Sequence, residues 1–481
     1  MRLLTLMFFL MTSACTVWSQ ERILDFENYF NFDDKKVLAL DAFHNDRFDQ
    51  TIFILEDRQS KNAYLFDKNF KEISDGLKIT KEVRKFPNSL SIVASKEQAF
   101  SFLMSNDDFN KWGLLNLNFD ARTILAQEVP INLKKALYVS SFSSSDKHWV
   151  VSLVKNSSKF KIQSVDDTGA VDITEYDFSN TDFSGGLRSI GNIYQLVNAK
   201  SEEFSIDYIE EDTPLSLLST NEKMKIYKEG DELVISIDNS RDFTYLIKIN
   251  IEEKTSNVIT IEKKKFEERS SYEDSNSFVY GNKLFTLKTT FDILNLSITD
   301  LKTKQLLKTF EIQGDEDIWF RNTALFQKRL GARKTSEIAK TKTFLRKVAN
   351  SEPAISVHKQ DDHLVVTLGA SKFIDRPDNA LVTGALLGGA SGYLLVSVVI
   401  NPISKNYLDY SSTKTTRFQM ILNTDLTHVD NGTVKENTFD IIEGYDQSQS
   451  IKGAKTVFKI DGNYYFSYIN KETKKLQCIR F

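Results

Sequence analysis

The sequence predicts an all-β chain, a β-propeller of seven or eight blades with two insertions, and three observations predict it. A two-residue turn of Gly, Asp or Asn recurs ahead of apolar strands, a second class of strand ends at Asn, Asp or Thr before a charged turn, and most of those ends repeat near every 48 residues. A period of that size with several short strands per unit is what a propeller needs, because each small antiparallel sheet buries its faces only against its neighbours. Two β-sandwich domains in tandem would show the same strands without ring closure, and are the alternative. Aromatics make up 12% of the 481 residues, while Gly (19) and Pro (6) are scarce, which excludes collagen-like, low-complexity and broadly disordered chains. The formal charge of -4 gives no global field for nucleic acid, so any charge-driven partner must be met locally.

The first element is a leader. Arg2, the apolar run Leu3 to Met11 and the more polar stretch Thr12 to Ser19 have the layout of a secretory signal peptide, and the apolar run is too short to span a bilayer. Cleavage after Ser19 leaves residues 20–481 as a single propeller domain, exported to the periplasm, the outer membrane or the outside. Lipoprotein processing at Cys15 competes, since Ser13-Ala14-Cys15 resembles the end of a lipobox, although Thr12 stands where Leu is usual. Removal of the leader leaves Cys478 as the one thiol, so the fold is held without disulfides. Its alternating surroundings, Leu476 to Phe481, place it as a small hydrophobe in a closing strand.

The hairpin signature appears as Gly230-Asp231, Gly281-Asn282, Asp361-Asp362 and Gly462-Asn463, each followed by an apolar strand. Such residues reach positive φ at little cost and join strands with the right twist. The strand-end signature closes at Asp67, Asn118, Asp166, Asn250, Thr299, Asn423 and Asn470, with separations of 51, 48, 84, 49, 124 and 47. The gap of 84 reads as two shortened periods with a weak unit near Tyr208 to Asp212. The gap of 124 holds one period and two insertions, roughly Arg321 to Asn350 and Phe373 to Thr415, which flank the strand Leu364 to Leu368.

The first insertion carries eight basic residues, Lys328, Arg329, Arg333, Lys334, Lys340, Lys342, Arg346 and Lys347, against Glu337. Good helix formers fill it, and Leu330, Ile338, Leu345 and Val348 make an apolar stripe near 3.6 periodicity. The expectation is a basic amphipathic helix capping a blade, with an anionic partner or membrane surface as the functional reading. The second insertion contains Ala380 to Ile400, 21 residues without a formal charge. Ala380, Gly384, Gly388 and Gly392 stand at four-residue spacing, a small-residue ridge if the segment is helical. Four glycines weaken a helix, and the β-branched end favours a strand from Tyr393 to Ile400, so loop plus strand is the first expectation. A self-associating helix and membrane insertion are the alternatives.

Catalytic patterns are mostly missing. The five histidines show no His-Glu-x-x-His and no pairing with Cys, and there is no Gly-x-Ser-x-Gly elbow or phosphate-cradling loop. No cofactor and no metal are expected. Asp238-Asn-Ser-Arg-Asp242 mimics a calcium loop, but Arg241 sits amid the would-be ligands. Ser164-Val-Asp166 and Ser144 to Trp149 look like the Ser-x-Asp turns of sialidase propellers without the full box. Trp112 and Trp149 read as core strand residues.

The last third resembles uncharacterised secreted proteins of Bacteroidota. The resemblance rests on the strand Asp361 to Leu368, the Gly-rich insertion, Asn401-Pro402, and Arg417 to His428 with a polar run into Asp440-Ile-Ile442. It covers about 120 residues and implies envelope or extracellular placement, with no activity and no catalytic residues attached. The leading expectation is therefore an exported, non-enzymatic binding or scaffold protein that contacts a protein or envelope component through its insertions, possession of a nucleic-acid partner not being expected. A hydrolase of glycan or peptide with carboxylates at the central channel and a structural, self-associating surface protein are the alternatives.

Overall fold

The computed structural model describes residues 20–27, 39–56, 61–79, 85–144, 146–184, 191–198, 206–210, 213–266, 272–328, 335–372, 401–412, 414–451 and 453–481. The leader with Cys15, the basic residues Arg329, Arg333 and Lys334, and the ridge Ala380, Gly384, Gly388 and Gly392 lie outside them. Among the described residues the chain forms seven sheets of four or five strands, nearly all antiparallel and mostly consecutive. That is the sheet topology of a β-propeller and not of paired Greek-key sandwiches.

The chain divides into two compact units. The first contains residues up to Lys78 and from Asp440 onward. Its first sheet is the meander Ala39–Asn45, Gln50–Glu56, Lys61–Phe66 and Glu72–Ile79. Its other sheet joins Lys455–Ile460, Asn463–Ile469 and Leu476–Arg480 to the N-terminal strand Glu21–Phe26, with Phe26 opposite Leu476. Phe26, Phe53, Phe66 and Phe458 pack the two sheets together, with ring centroids 5.1 to 5.6 Å apart. Cys478 lies fully buried among them, and burial pushes its thiol up to about 12.

The second unit, Ile79–Phe439, holds five sheets. The second sheet is Asn88–Lys96, Ala99–Ser105, Trp112–Asn118 and Thr123–Val129, and the third is Ala136–Ser144, Lys147–Val154, Lys159–Val165 and Val171–Asp177. A short helix, α1 (Ile193–Asn198), precedes the fourth, which is Met224–Glu229, Glu232–Ile237, Phe243–Asn250 and Thr255–Glu262. The fifth is Asp274–Tyr280, Lys283–Thr289, Ile293–Asp300 and Leu306–Gln313.

Turn chemistry explains where these strands stop. The Asp67 carboxylate accepts the N–H groups of Asn69 and Lys71, both at 2.9 Å, and Asn250 Oδ1 accepts those of Glu252 and Glu253 at 3.1 and 2.8 Å. In the fifth sheet the strand runs one residue past Thr299, and Asp300 does the capping. Gly230, Gly281 and Asp361 take positive φ, as the hairpin signature requires. The last hairpin turns one residue earlier than expected, at Asp461-Gly462, with φ of 47° and 82°.

Two expectations about organisation change, and a third segment gains a structure. Among the described residues the gap of 84 shows no second blade, because Tyr208 belongs to Asp207–Ile209, a three-residue strand that adds in parallel to the edge of the fourth sheet. The gap is one period plus an insertion holding α1 and the 3₁₀ turn Leu218–Thr220. Among the described residues of the first insertion the helix is α2 (Thr341–Ala349), while Phe326–Lys328 and Thr335–Glu337 are strands. They cover the outer edge of the sixth sheet, made by Glu352–Gln360, His363–Lys372 and Lys414–Leu422. The chain leaves Lys414–Leu422 without supplying a further strand, so an upstream segment pairs with that edge. Lastly, the end of the second insertion is a helix, α3 (Pro402–Ser412), opened by Asn401, whose Oδ1 accepts the Ser404 N–H at 3.1 Å. The reading of 380–400 as loop and strand lies outside the described residues. Among those described, no helix is long and apolar enough to cross a membrane.

Candidate functional site

The opening strands of the fourth, fifth and sixth sheets begin with polar residues that the fold brings together. Lys223 Nζ donates to Asp274 Oδ1 at 2.6 Å and to the Ser275 carbonyl, and Asn221 Nδ2 donates to Glu352. One turn deeper, Lys225 Nζ donates to the Glu222 carbonyl at 2.7 Å and to Asn276 Oδ1, and neither Lys225 nor Asn276 is exposed. Asp238, at the end of Glu232–Ile237, and Lys263, just past Thr255–Glu262, enter the same region. From above, α3 contributes Lys405 and Asp409, paired at 2.7 Å, and Ser219 donates to Asp409 at 3.2 Å.

The charges alternate in sign and neutralise one another. Burial works to raise the Asp238 carboxyl, but Lys263, Lys225 and the hydroxyls of Ser277 and Thr244 overcome it and hold it at about 2. Burial likewise works to raise Glu273, and its bonds to Lys288 and Arg241 leave it lowered. Asp207 behaves differently. Burial, followed by the charge of Glu222, pushes its carboxyl up to about 7 against Lys405 and Lys225, although it accepts the Glu222 N–H at 3.0 Å. Burial also brings Lys225 down to about 8. The arrangement therefore ties three sheets together and holds the Asp207 carboxyl raised well above its usual range by burial.

None of this cluster was singled out as a site in the sequence. Asp238 was considered only as a calcium mimic, and the structure commits it to Lys263, with Arg241 turned to Glu273. Among the described residues no three His, Cys, Asp or Glu side chains come together as a metal site. A Lys within an apolar strand, as in Met224-Lys-Ile-Tyr227, is the signal that could have found it.

The described basic residues of the first insertion separate into two groups. Lys340, at the N-cap of α2, and Lys342 and Arg346 on it are exposed, while Phe344, Leu345 and Val348 of the helix are buried, and Lys342 reaches Asp292 at 3.7 Å. Lys328 and Lys347 turn inward, Lys328 over the Tyr410 ring and Lys347 to Gln327 Oε1 at 3.0 Å. Trp112 and Trp149 are buried in strands. Among the described residues Trp319 is the tryptophan on the surface: it is 60% exposed and set edge-on to His428.

No protein-family profile matches the sequence, and no curated protein does. Solved structures similar to it include the β-propeller domain of the Trilobed protease from Pyrococcus furiosus, at 8% identity over 92% of each chain and a TM-score of 0.32. Others are the Nup133 β-propeller domain of Vanderwaltozyma polyspora, at 9% identity over 91% of this chain and 93% of that one with a TM-score of 0.32, and a prolyl endopeptidase, at 9% identity and 0.33. The chain spans half the length of that endopeptidase. Similarity at this level carries nothing about chemistry.

Proposed function

We propose that the protein is an exported, non-enzymatic binding or scaffold protein of the cell envelope, and that the exposed face of α2 meets an anionic partner surface. One observation carries the reading. The apolar side of α2 is fixed in the core by Phe344, Leu345 and Val348, so Lys340, Lys342 and Arg346 are presented to solvent on a rigid support. Each cation near an anionic surface contributes about 1 kcal/mol. The test is co-sedimentation of residues 20–481 with phosphatidylglycerol and with phosphatidylcholine vesicles, beside the variant Lys340→Glu, Lys342→Glu, Arg346→Glu. Binding to the anionic vesicles alone, weakened by salt and lost in the variant, supports the proposal. Equal sedimentation of both proteins, or none of the parent, ends it.

A further inference from the structure

Neutralisation stops at the solvent side of the charged cluster. Asn221 closes the 3₁₀ turn Leu218–Thr220, Glu222 follows it, and Glu352 opens the first strand of the sixth sheet. Asn221 is only 4% exposed, and its Nδ2 donates to Glu352 Oε2, which sets its amide head beside that carboxylate. Its Oδ1 accepts no hydrogen bond among the described residues. Among the same residues the Glu222 carboxylate receives neither a hydrogen bond nor an ion pair, and Glu352 receives only the Asn221 amide. The three lysines close by are turned elsewhere: Lys223 to Asp274 and the Ser275 carbonyl, Lys225 to Asn276 and the Glu222 carbonyl, Lys405 to Asp409. The packing around the Glu352 carboxyl, followed by the charge of Glu222, raises it above its usual range even against Lys223 and the Asn221 bond. Glu352 is exposed and Glu222 half-buried, so solvent reaches these oxygens.

The backbone beneath them is fixed beforehand. Asn276 Nδ2 donates to the Asn221 carbonyl at 2.8 Å, Asp207 holds the Glu222 N–H at 3.0 Å, and Lys225 holds the Glu222 carbonyl at 2.7 Å. Two carboxylates without a cation beside a buried, unpaired amide oxygen make a set of acceptors only, which a positively charged donor satisfies. A guanidinium fits poorly, because its fork takes both oxygens of a carboxylate and Asn221 already occupies one of those of Glu352. A metal ion fits poorly too, since among the described residues no three His, Cys, Asp or Glu side chains converge. An ammonium carries three N–H donors, one for each acceptor.

We propose that Glu222, Glu352 and Asn221 Oδ1 form a binding site for one primary ammonium group, carried by a peptide or by a small free amine. It uses none of the cations of α2, so this proposal and the preceding one succeed or fail separately.

The experiment is calorimetric titration of residues 20–481 with methylammonium, alanyl-alaninamide and N-acetyl-lysinamide, beside tetramethylammonium, a cation with no N–H to donate. Saturable binding of at least one primary ammonium, and none of tetramethylammonium, is expected. Preference for alanyl-alaninamide assigns a peptide N-terminus, preference for N-acetyl-lysinamide a lysine side chain, and equal binding of methylammonium a small amine. Glu222→Gln and Glu352→Gln, both at side chains that solvent reaches, should each weaken binding by about tenfold or more. If either variant fails to fold, probe-induced shifts of the Asn221 side-chain amide in the parent protein give the same answer. Absence of saturable binding by all the primary ammonium probes, equal binding of tetramethylammonium, or undiminished binding to the folded variants overturns the proposal.

Discussion

Lys263 Nζ lies 3.2 Å from Asp238 Oδ1, and neither side chain has any exposure to solvent. Burial pulls the ammonium down while the carboxyl is held low, so attraction and desolvation largely offset each other in the intact pair. Breaking it is another matter. Lys263→Met should cost about 3–5 kcal/mol by taking from Asp238 the nearer of its two cations, Lys225 being the other. Adding Asp238→Asn to that variant should restore much of the loss in urea unfolding, and a double variant no more stable than the single one would refute the pairing argument.

Acid should destabilise the protein through His148. Burial holds this imidazole down at about 3, between Ser91 Oγ at 2.8 Å and Ser101 Oγ at 3.1 Å. It stays neutral in the fold while the unfolded chain takes up a proton below about 6.5. Stability is therefore full above that value and declines as pH falls toward the folded pKa, by about 2 kcal/mol at pH 5 from this site alone. Urea titrations at pH 7 and pH 5 should show that His148→Gln loses this part of the pH dependence.

Gly369 has no room for a side chain. A Cβ there would stand 1.9 Å from the Thr416 carbonyl oxygen on the neighbouring strand. Gly369→Ala should cost about 1–3 kcal/mol or more as the strands are forced apart, whereas Gly444→Ala, inside the helix Thr438–Ser448 with nothing within 4 Å, should raise the melting temperature slightly.

Trp319 should dominate the quenchable fluorescence of residues 20–481, since Trp112 and Trp149 are buried and Trp319 is 60% exposed. Trp319→Phe should shift emission to the blue and reduce acrylamide quenching, with stability changed by less than about 0.5 kcal/mol. Emission that stays red after the substitution would contradict this placement.

What could be read in the sequence was local. Asp67, Asn250 and Asn470 announce their turns because the bonds that stop each strand reach only two to four residues ahead. The same marker misleads once its place in the sheet changes: Asn423 follows the third strand of its meander, while Asn470 follows the second of Lys455–Ile460, Asn463–Ile469 and Leu476–Arg480. Lys225 was missed because its partner Asn276 is 51 residues away and the strand around it otherwise looks apolar. Phe326–Lys328 reads as part of a basic helix by composition, and only the open edge of Lys414–Leu422 makes it a strand. Composition also gives no means of telling the exposed Trp319 from the buried Trp112.

The pairing of Glu21–Phe26 with Leu476–Arg480 sets a timetable for biogenesis. Glu21–Phe26 must wait, unpaired, until Leu476–Arg480 has been synthesised. Sheets two to five can assemble from neighbouring sequence as it emerges, but the closing sheet cannot. A ribosome stalled a few codons short of Leu476 would release a chain with a frayed seam, a natural target for proteases that police unfinished proteins.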